Sequence, residues 1–116
     1  MNQWVSQHFS GDDRVLSNED VRGYLRILNG WTAGRSYRFI EKKYLFERNS
    51  SSTAFVSVAA ANAVREDKVP DIHIKGRNVR VRIGGEHCKN LLYLSDFRLA
   101  EEIDSLYVAV FSTSSA

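Results

Sequence analysis

His73, Glu86 and His87 are the side chains of this sequence best suited to moving a proton near neutral pH, and Lys68 stands upstream of them. An imidazole changes charge between about pH 5 and 8, which suits it to general acid–base work. A lysine is harder to recruit. Its ordinary pKa of about 10.4 would have to fall by about 3 units, at a cost on the order of 4 kcal/mol, before it served as a base at pH 7. Val69, its neighbour, has no proton to give or take. Each candidate also has a plainer reading: Lys68 as an exposed loop lysine, His73 as a solvated strand position, His87 as a surface histidine beside a glutamate. A zinc site built from His73, Glu86, His87 and Cys88 lacks the usual C-x-x-C or H-x-x-x-H spacing and has a single thiol.

A second constellation is basic. Lys75, Arg77, Arg80 and Arg82 cluster around one short turn, and Arg80 and Arg82 alternate with apolar residues. On a two-stranded hairpin these arginines project from one face, where Lys75 and His73 join them across the strand pair. Such a face suits an acidic protein surface or nucleic acid, or is the solvated side of a sheet. No aromatic residue alternates with the cations, which argues against stacking on single-stranded nucleic acid.

The elements that must position these residues follow from changes in periodicity. Ser17 is placed to cap a helix, with Glu19 and Asp20 in its positive first turn. Val21, Tyr24, Leu25 and Leu28 fall at i, i+3, i+4 and i+7, and Asn29-Gly30 ends that helix. From Trp31 to Phe46 the pattern is strand-like, with a turn after Gly34 near Ser36. The run Asn49-Ser50-Ser51-Ser52-Thr53 offers caps for a second helix, whose apolar face is Phe55, Val58, Ala59, Asn62 and Ala63. Pro70 cannot continue that helix. Ile72 and Ile74 then alternate with Asp71, His73 and Lys75; after Gly76-Arg77-Asn78, Val79, Val81 and Ile83 alternate with the arginines. Ser95 is placed to cap a last helix with the stripe Leu99, Ala100, Ile103, Leu106, Tyr107 and Val110. The expected order is α-β-β-α-β-β-α. Short links between paired strands imply an α+β fold: a four-stranded antiparallel sheet with three helices on one face.

Composition bounds the rest. A chain of 116 residues with 43% hydrophobic and 26% charged residues reads as one globular domain. The expected divisions are a flexible segment at 1–13, the domain at 14–111 and a disordered tail at 112–116. A net charge of +2 is too small to announce a nucleic-acid binder, and the single cysteine fits a reducing compartment. No apolar run approaches the ~18 residues that span a bilayer, and the first residues lack a signal pattern. The expectation is an intracellular protein, cytoplasmic or in an organellar matrix, without a membrane partner and not primarily a nucleic-acid binder.

The joint spacing of several motifs resembles the pterin-4a-carbinolamine dehydratase family. The carriers are Gly30-Trp31, Ile40, Tyr44-Leu45-Phe46, Phe55, Val58-Ala59, Pro70-Asp71-Ile72, Val79, Val81, Ile83, and the closing Asp96, Leu99, Ala100, Ile103 and Asp104. Together they span roughly residues 17–107. The resemblance implies dehydration of 4a-hydroxytetrahydropterin with no metal or organic cofactor. It also implies a loop over Asp67, Lys68, Val69, Pro70 and Asp71 lining the substrate pocket.

In the family, two adjacent histidines precede the proline and a third ends the fourth strand. Here Lys68 and Val69 hold the paired positions. Counting forward along the strand puts Glu86 at the third; counting back from Asp96 puts His87 there, with Gly84-Gly85 able to absorb the extra residue as a bulge. His73, with Lys68 or Glu86 beside it, is a further candidate for the vacated pocket.

Two functions therefore stand side by side. One is a non-catalytic oligomeric module that binds a protein partner, since relatives with altered sites include Rubisco assembly factors and active members double as coactivators. The other is a slow dehydratase with a rearranged site and a pterin ligand. Family habit implies a homodimer or homotetramer, and the apolar run Leu106–Phe111 suits either an intersubunit contact or the core.

Overall fold

In the computed structural model, residues 13–85 and 89–111 are described. Helix α1 (Asn18–Ile27) begins where expected: the Ser17 hydroxyl accepts the Asp20 N–H, and the Asp20 carboxylate accepts the Ser17 N–H. This reciprocal cap satisfies two donors that the first turn leaves unpaired. Val21, Tyr24 and Leu28 are buried, and Leu25 packs beside them.

Strand β1 (Thr32–Ala33) leads through a tight turn at Arg35–Tyr37, where Ser36 has φ 57°, into β2 (Phe39–Leu45). Helix α2 (Asn49–Arg65), strands β3 (Asp71–Lys75) and β4 (Asn78–Gly84), and helix α3 (Leu94–Leu106) follow. Residues Tyr107–Phe111 prolong α3 as a π-helical turn. The sheet runs β1-β2-β4-β3 with every pairing antiparallel. The expected α+β order is therefore observed.

Register divides the sheet into two faces. Ile40 lies opposite Ile83, and Tyr44 opposite Val79, with Val81 between; all are buried. Phe55, Ala59 and Ala63 of α2 and Leu99, Ala100 and Ile103 of α3 complete that core. The opposite face carries Glu41, Lys43, Asp71, His73, Lys75, Arg80 and Arg82. One-sided burial of this kind is the ordinary economy of an antiparallel sheet.

Asp104 locks the layers together. Its carboxylate accepts from Trp31 Nε1 at 3.0 Å, Lys42 Nζ at 2.9 Å and the Tyr44 hydroxyl at 2.5 Å. Burial, and secondarily the Asp104 charge, push the Tyr44 hydroxyl far above its ordinary range. Tyr44, Phe46, Phe55 and Tyr107 form an aromatic cluster with ring centroids 4.9 to 6.0 Å apart.

Local expectations need four corrections. Ser95 does not cap α3: Tyr93 does, its N–H donated to the Asp96 carboxylate at 2.8 Å, while Ser95 sits inside the first turn. Arg48 holds the cap position of α2 without a side-chain bond. Ser52 is buried within that helix instead, its hydroxyl reaching the carbonyls of Asn49 and Gly76. Val58 lies off the buried stripe of α2 and is exposed. Ile72 and Ile74 do lie on the helix side of the sheet, but β3 is an edge strand and Ile74 remains 41% exposed.

Candidate functional site

Helix α2 ends at Arg65, and Lys68 N–H returns to the Ala63 carbonyl at 2.8 Å after Asp67 adopts φ 57°. A left-handed residue here reverses the chain sharply. The reversal carries the Lys68 side chain to the N-terminus of α3. Its ammonium lies 3.0 Å from Asp96 Oδ1 and 3.8 Å from Asp13 Oδ2, and 5.3 Å above the Tyr93 ring. The Lys68 side chain is only 15% exposed, so the exposed-loop reading does not describe it.

The two carboxylates are held by the helix end itself. Asp13 accepts the Ser95 N–H at 3.0 Å and the Ser95 hydroxyl at 2.5 Å. Asp96 is wholly buried. Burial pushes its carboxyl above the usual range, outweighing Lys68 and the Tyr93 N–H, which pull it down. Asp96 Oδ1 has no aligned hydrogen bond among the described residues, so its stabilisation is the ionic contact with Lys68. A second bridge, Arg98 to Glu66, ties α3 to the end of α2.

The rest of the loop has a different character. Val69 is 72% exposed. Asp71 opens β3 opposite Arg82 and lines a cavity of about 340 Å³ with Arg35, Arg38, Phe39, Gly84 and Asn90. Arg82 is already engaged there: it binds Glu41 Oε1 at 3.0 and 3.1 Å and stacks 4.1 Å from the Phe39 ring centroid. Gly84 has φ +96°, and a Cβ at that place would come within 2.9 Å of Leu92 and 3.0 Å of the Arg38 carbonyl. Only glycine allows this close approach.

His73 belongs to other surroundings. It lies opposite Arg80, which lies opposite Lys43. Lys75 pairs with Asn78 on the same face, and Arg77 is exposed in the turn. Lys68 is thus joined to Asp96, Asp71 to Arg82, and His73 to Arg80. The candidates Glu86 and His87 lie outside the described residues. Among the described residues no cluster of metal-ligating side chains occurs.

Sequence reasoning missed Asp13, Arg35, Arg38 and Phe39. The turn after Gly34 near Ser36 was the available signal for the two arginines; Asp13 gave none.

Comparison with known proteins adds the context. The model of the "Pterin 4 alpha carbinolamine dehydratase" family matches residues 14–106. The chain belongs to that family. A Nitrosospira multiformis protein named "Putative pterin-4-alpha-carbinolamine dehydratase" is 32% identical over 93 residues, covering 79% of each chain. A solved Brucella melitensis structure, described as a transcriptional coactivator/pterin dehydratase, superposes with a TM-score of 0.73 at 22% identity, over 80% of this chain and 98% of that one. At that identity the superposition speaks for the fold. Within the dehydratase fold, the Lys68–Asp96 pair occupies the loop-to-helix junction and the arginine-lined cavity the adjoining end of the sheet.

Proposed function

We propose that this family member is a non-catalytic, self-associating module that binds a protein partner, in the manner of an assembly factor or coactivator. One observation carries the reading. Where the family resemblance calls for a proton-transferring histidine, Lys68 stands with its ammonium committed to buried Asp96 at 3.0 Å. Val69, at the second position, has nothing to titrate. Positioned acids and bases contribute about 10²- to 10⁴-fold to such reactions, so losing both removes most of the rate.

Self-association has support from two surfaces. Strand β3 is an open edge, and its Ile74 is exposed; an unpaired edge is a template for a second strand. Ile27, Leu28 and Val108 line a groove of about 320 Å³ between α1 and the end of α3. A homodimer through the first and a homotetramer through both follow. Lys75, Arg77 and Arg80 offer an acidic protein partner a basic contact, and the coactivator description of the Brucella melitensis relative fits this use. We assign the module to residues 14–111 and to a reducing compartment. No helix of the described residues is long and apolar enough to cross a membrane.

The alternative, a slow dehydratase, is favoured by the cavity beside Asp71, whose 340 Å³ would take a pterin. Proton transfer would then fall to Glu86 or His87, or to His73 reaching in from the neighbouring cavity. Purified protein assayed with 4a-hydroxytetrahydropterin separates the readings. Dehydration at the uncatalysed rate from a dimer or tetramer, by light scattering, supports the module; a clear acceleration supports the enzyme.

A further inference from the structure

Three strands place Lys43, Arg80 and His73 side by side at one register position on the open face of the sheet. Adjacent strands are about 4.8 Å apart, so the row fits within about 10 Å. Like charges directly opposite one another destabilise a sheet. The neighbouring row shows how this chain handles charge elsewhere: Arg82 sits between Glu41 and Asp71 and is neutralised. Among the described residues the Lys43 row has no such compensation. Among the described residues, none of Lys43, Arg80, His73 and nearby Lys75 has a carboxylate partner, although a cavity of about 280 Å³ opens between them. Arg80 Nε is also closed off from solvent without a hydrogen-bond acceptor. A local arrangement that opposes stability without a compensating contact marks a place where a ligand completes it.

We propose that Lys43, Arg80 and His73 form a binding site for a single phosphate monoester group, presented by a small molecule. The guanidinium fork of arginine and the point charge of lysine together match a tetrahedral dianion. The row is focal, not a track. Along the strands Glu41 and Asp71 bound it on one side, and on the other the row of Leu45, Asn78 and Lys75 adds one further cation, Lys75, beside an apolar and an amide residue. A polynucleotide backbone needs a longer run of cations, so a lone terminal phosphate is the better match. The site goes beyond the loop at Lys68 and stands whether or not the protein catalyses dehydration.

Thermal unfolding with inorganic phosphate as the probe tests it. The full chain is melted at pH 7.5 in sodium phosphate or sodium chloride of equal ionic strength. A ligand that binds only the folded state raises Tm by mass action, and about 20 mM phosphate should add about 4 °C beyond chloride. In Lys43→Glu, at an exposed position, the phosphate-specific gain should vanish while the melting point in chloride does not fall. Arg80→Gln should lose the gain as well. Equal melting in both salts, or a gain that survives Lys43→Glu, overturns the proposal. So does tight, strongly salt-dependent binding of an oligothymidylate without any phosphate response, which would make the face a nucleic-acid surface.

Discussion

Lys68 and Asp96 form an ion pair of 3.0 Å that joins the loop after α2 to the first turn of α3. The carboxylate is wholly buried, and Asp13 brings a second negative charge within 3.8 Å of the same ammonium. Removing one partner of a buried pair leaves the other charge uncompensated, which is why such pairs persist even where they add little net stability. Here the pair fixes the loop at the position where the family resemblance would place a proton-transferring histidine.

Burial of Asp96, which outweighs its pairing with Lys68, gives the stability a distinct pH signature. Burial raises the folded-state pKa of Asp96 above the ordinary value near 3.8, so between these two values the folded protein binds more protons than the unfolded chain. The contribution of Asp96 is therefore fully present below about pH 3.8 and is lost as pH rises through the folded pKa. Asp96→Asn removes this slope. Expected is a wild-type advantage in melting temperature that is largest near pH 4 and shrinks toward pH 7; a difference that widens with pH would contradict the account.

Asp104 accepts from three side chains at once, Trp31, Lys42 and Tyr44. Asp104→Ala strands a buried indole N–H and a buried hydroxyl, each costing about 1–3 kcal/mol. Urea unfolding should show a loss of about 3 kcal/mol. A loss under 1 kcal/mol would mean that water replaces the carboxylate freely.

Gly34 lies against Phe39 so closely that an added Cβ would meet the ring at 2.0 Å. Its own φ of −79° is open to any residue, so the cost of Gly34→Ala is purely the displaced ring. About 1–2 kcal/mol of destabilisation is expected, with the stack of Arg82 on Phe39 disturbed. Phe39→Leu in the same chain should recover part of the loss; strict additivity of the two changes would place the strain elsewhere.

Placing histidines at Lys68 and Val69 tests the proposed loss of proton-transfer groups directly. Val69 is exposed and Lys68 is held by contacts an imidazolium can partly replace. Lys68→His with Val69→His should accelerate dehydration of 4a-hydroxytetrahydropterin by about 10²-fold over the parent chain. No gain in a folded double variant would locate further losses in the cavity.

The scaffold was legible because its signals are local. Ser17 with Asp20 wrote the start of α1, and the alternation of Val79, Val81 and Ile83 wrote the buried face of β4. What escaped depends on residues remote in sequence. Ser95 looks like a cap until Asp13, from the other end of the chain, takes its N–H and hydroxyl. Lys68 reads as a loop lysine until folding brings Asp96 to it. Ile72 and Ile74 have the alternation of a core strand, and only the strand order β1-β2-β4-β3 reveals that they sit at an edge. The contrast between the neutralised Arg82 row and the Arg80 row, which has no carboxylate partner among the described residues, likewise appears only once register is known.

Catalytic silence is the central claim, and the most direct measurement is the dehydration rate of 4a-hydroxytetrahydropterin with and without the purified wild-type protein. The expected result is a rate equal to the uncatalysed one at micromolar protein. An acceleration of tenfold or more that disappears in His73→Ala or His87→Ala would contradict it and make the chain a working dehydratase.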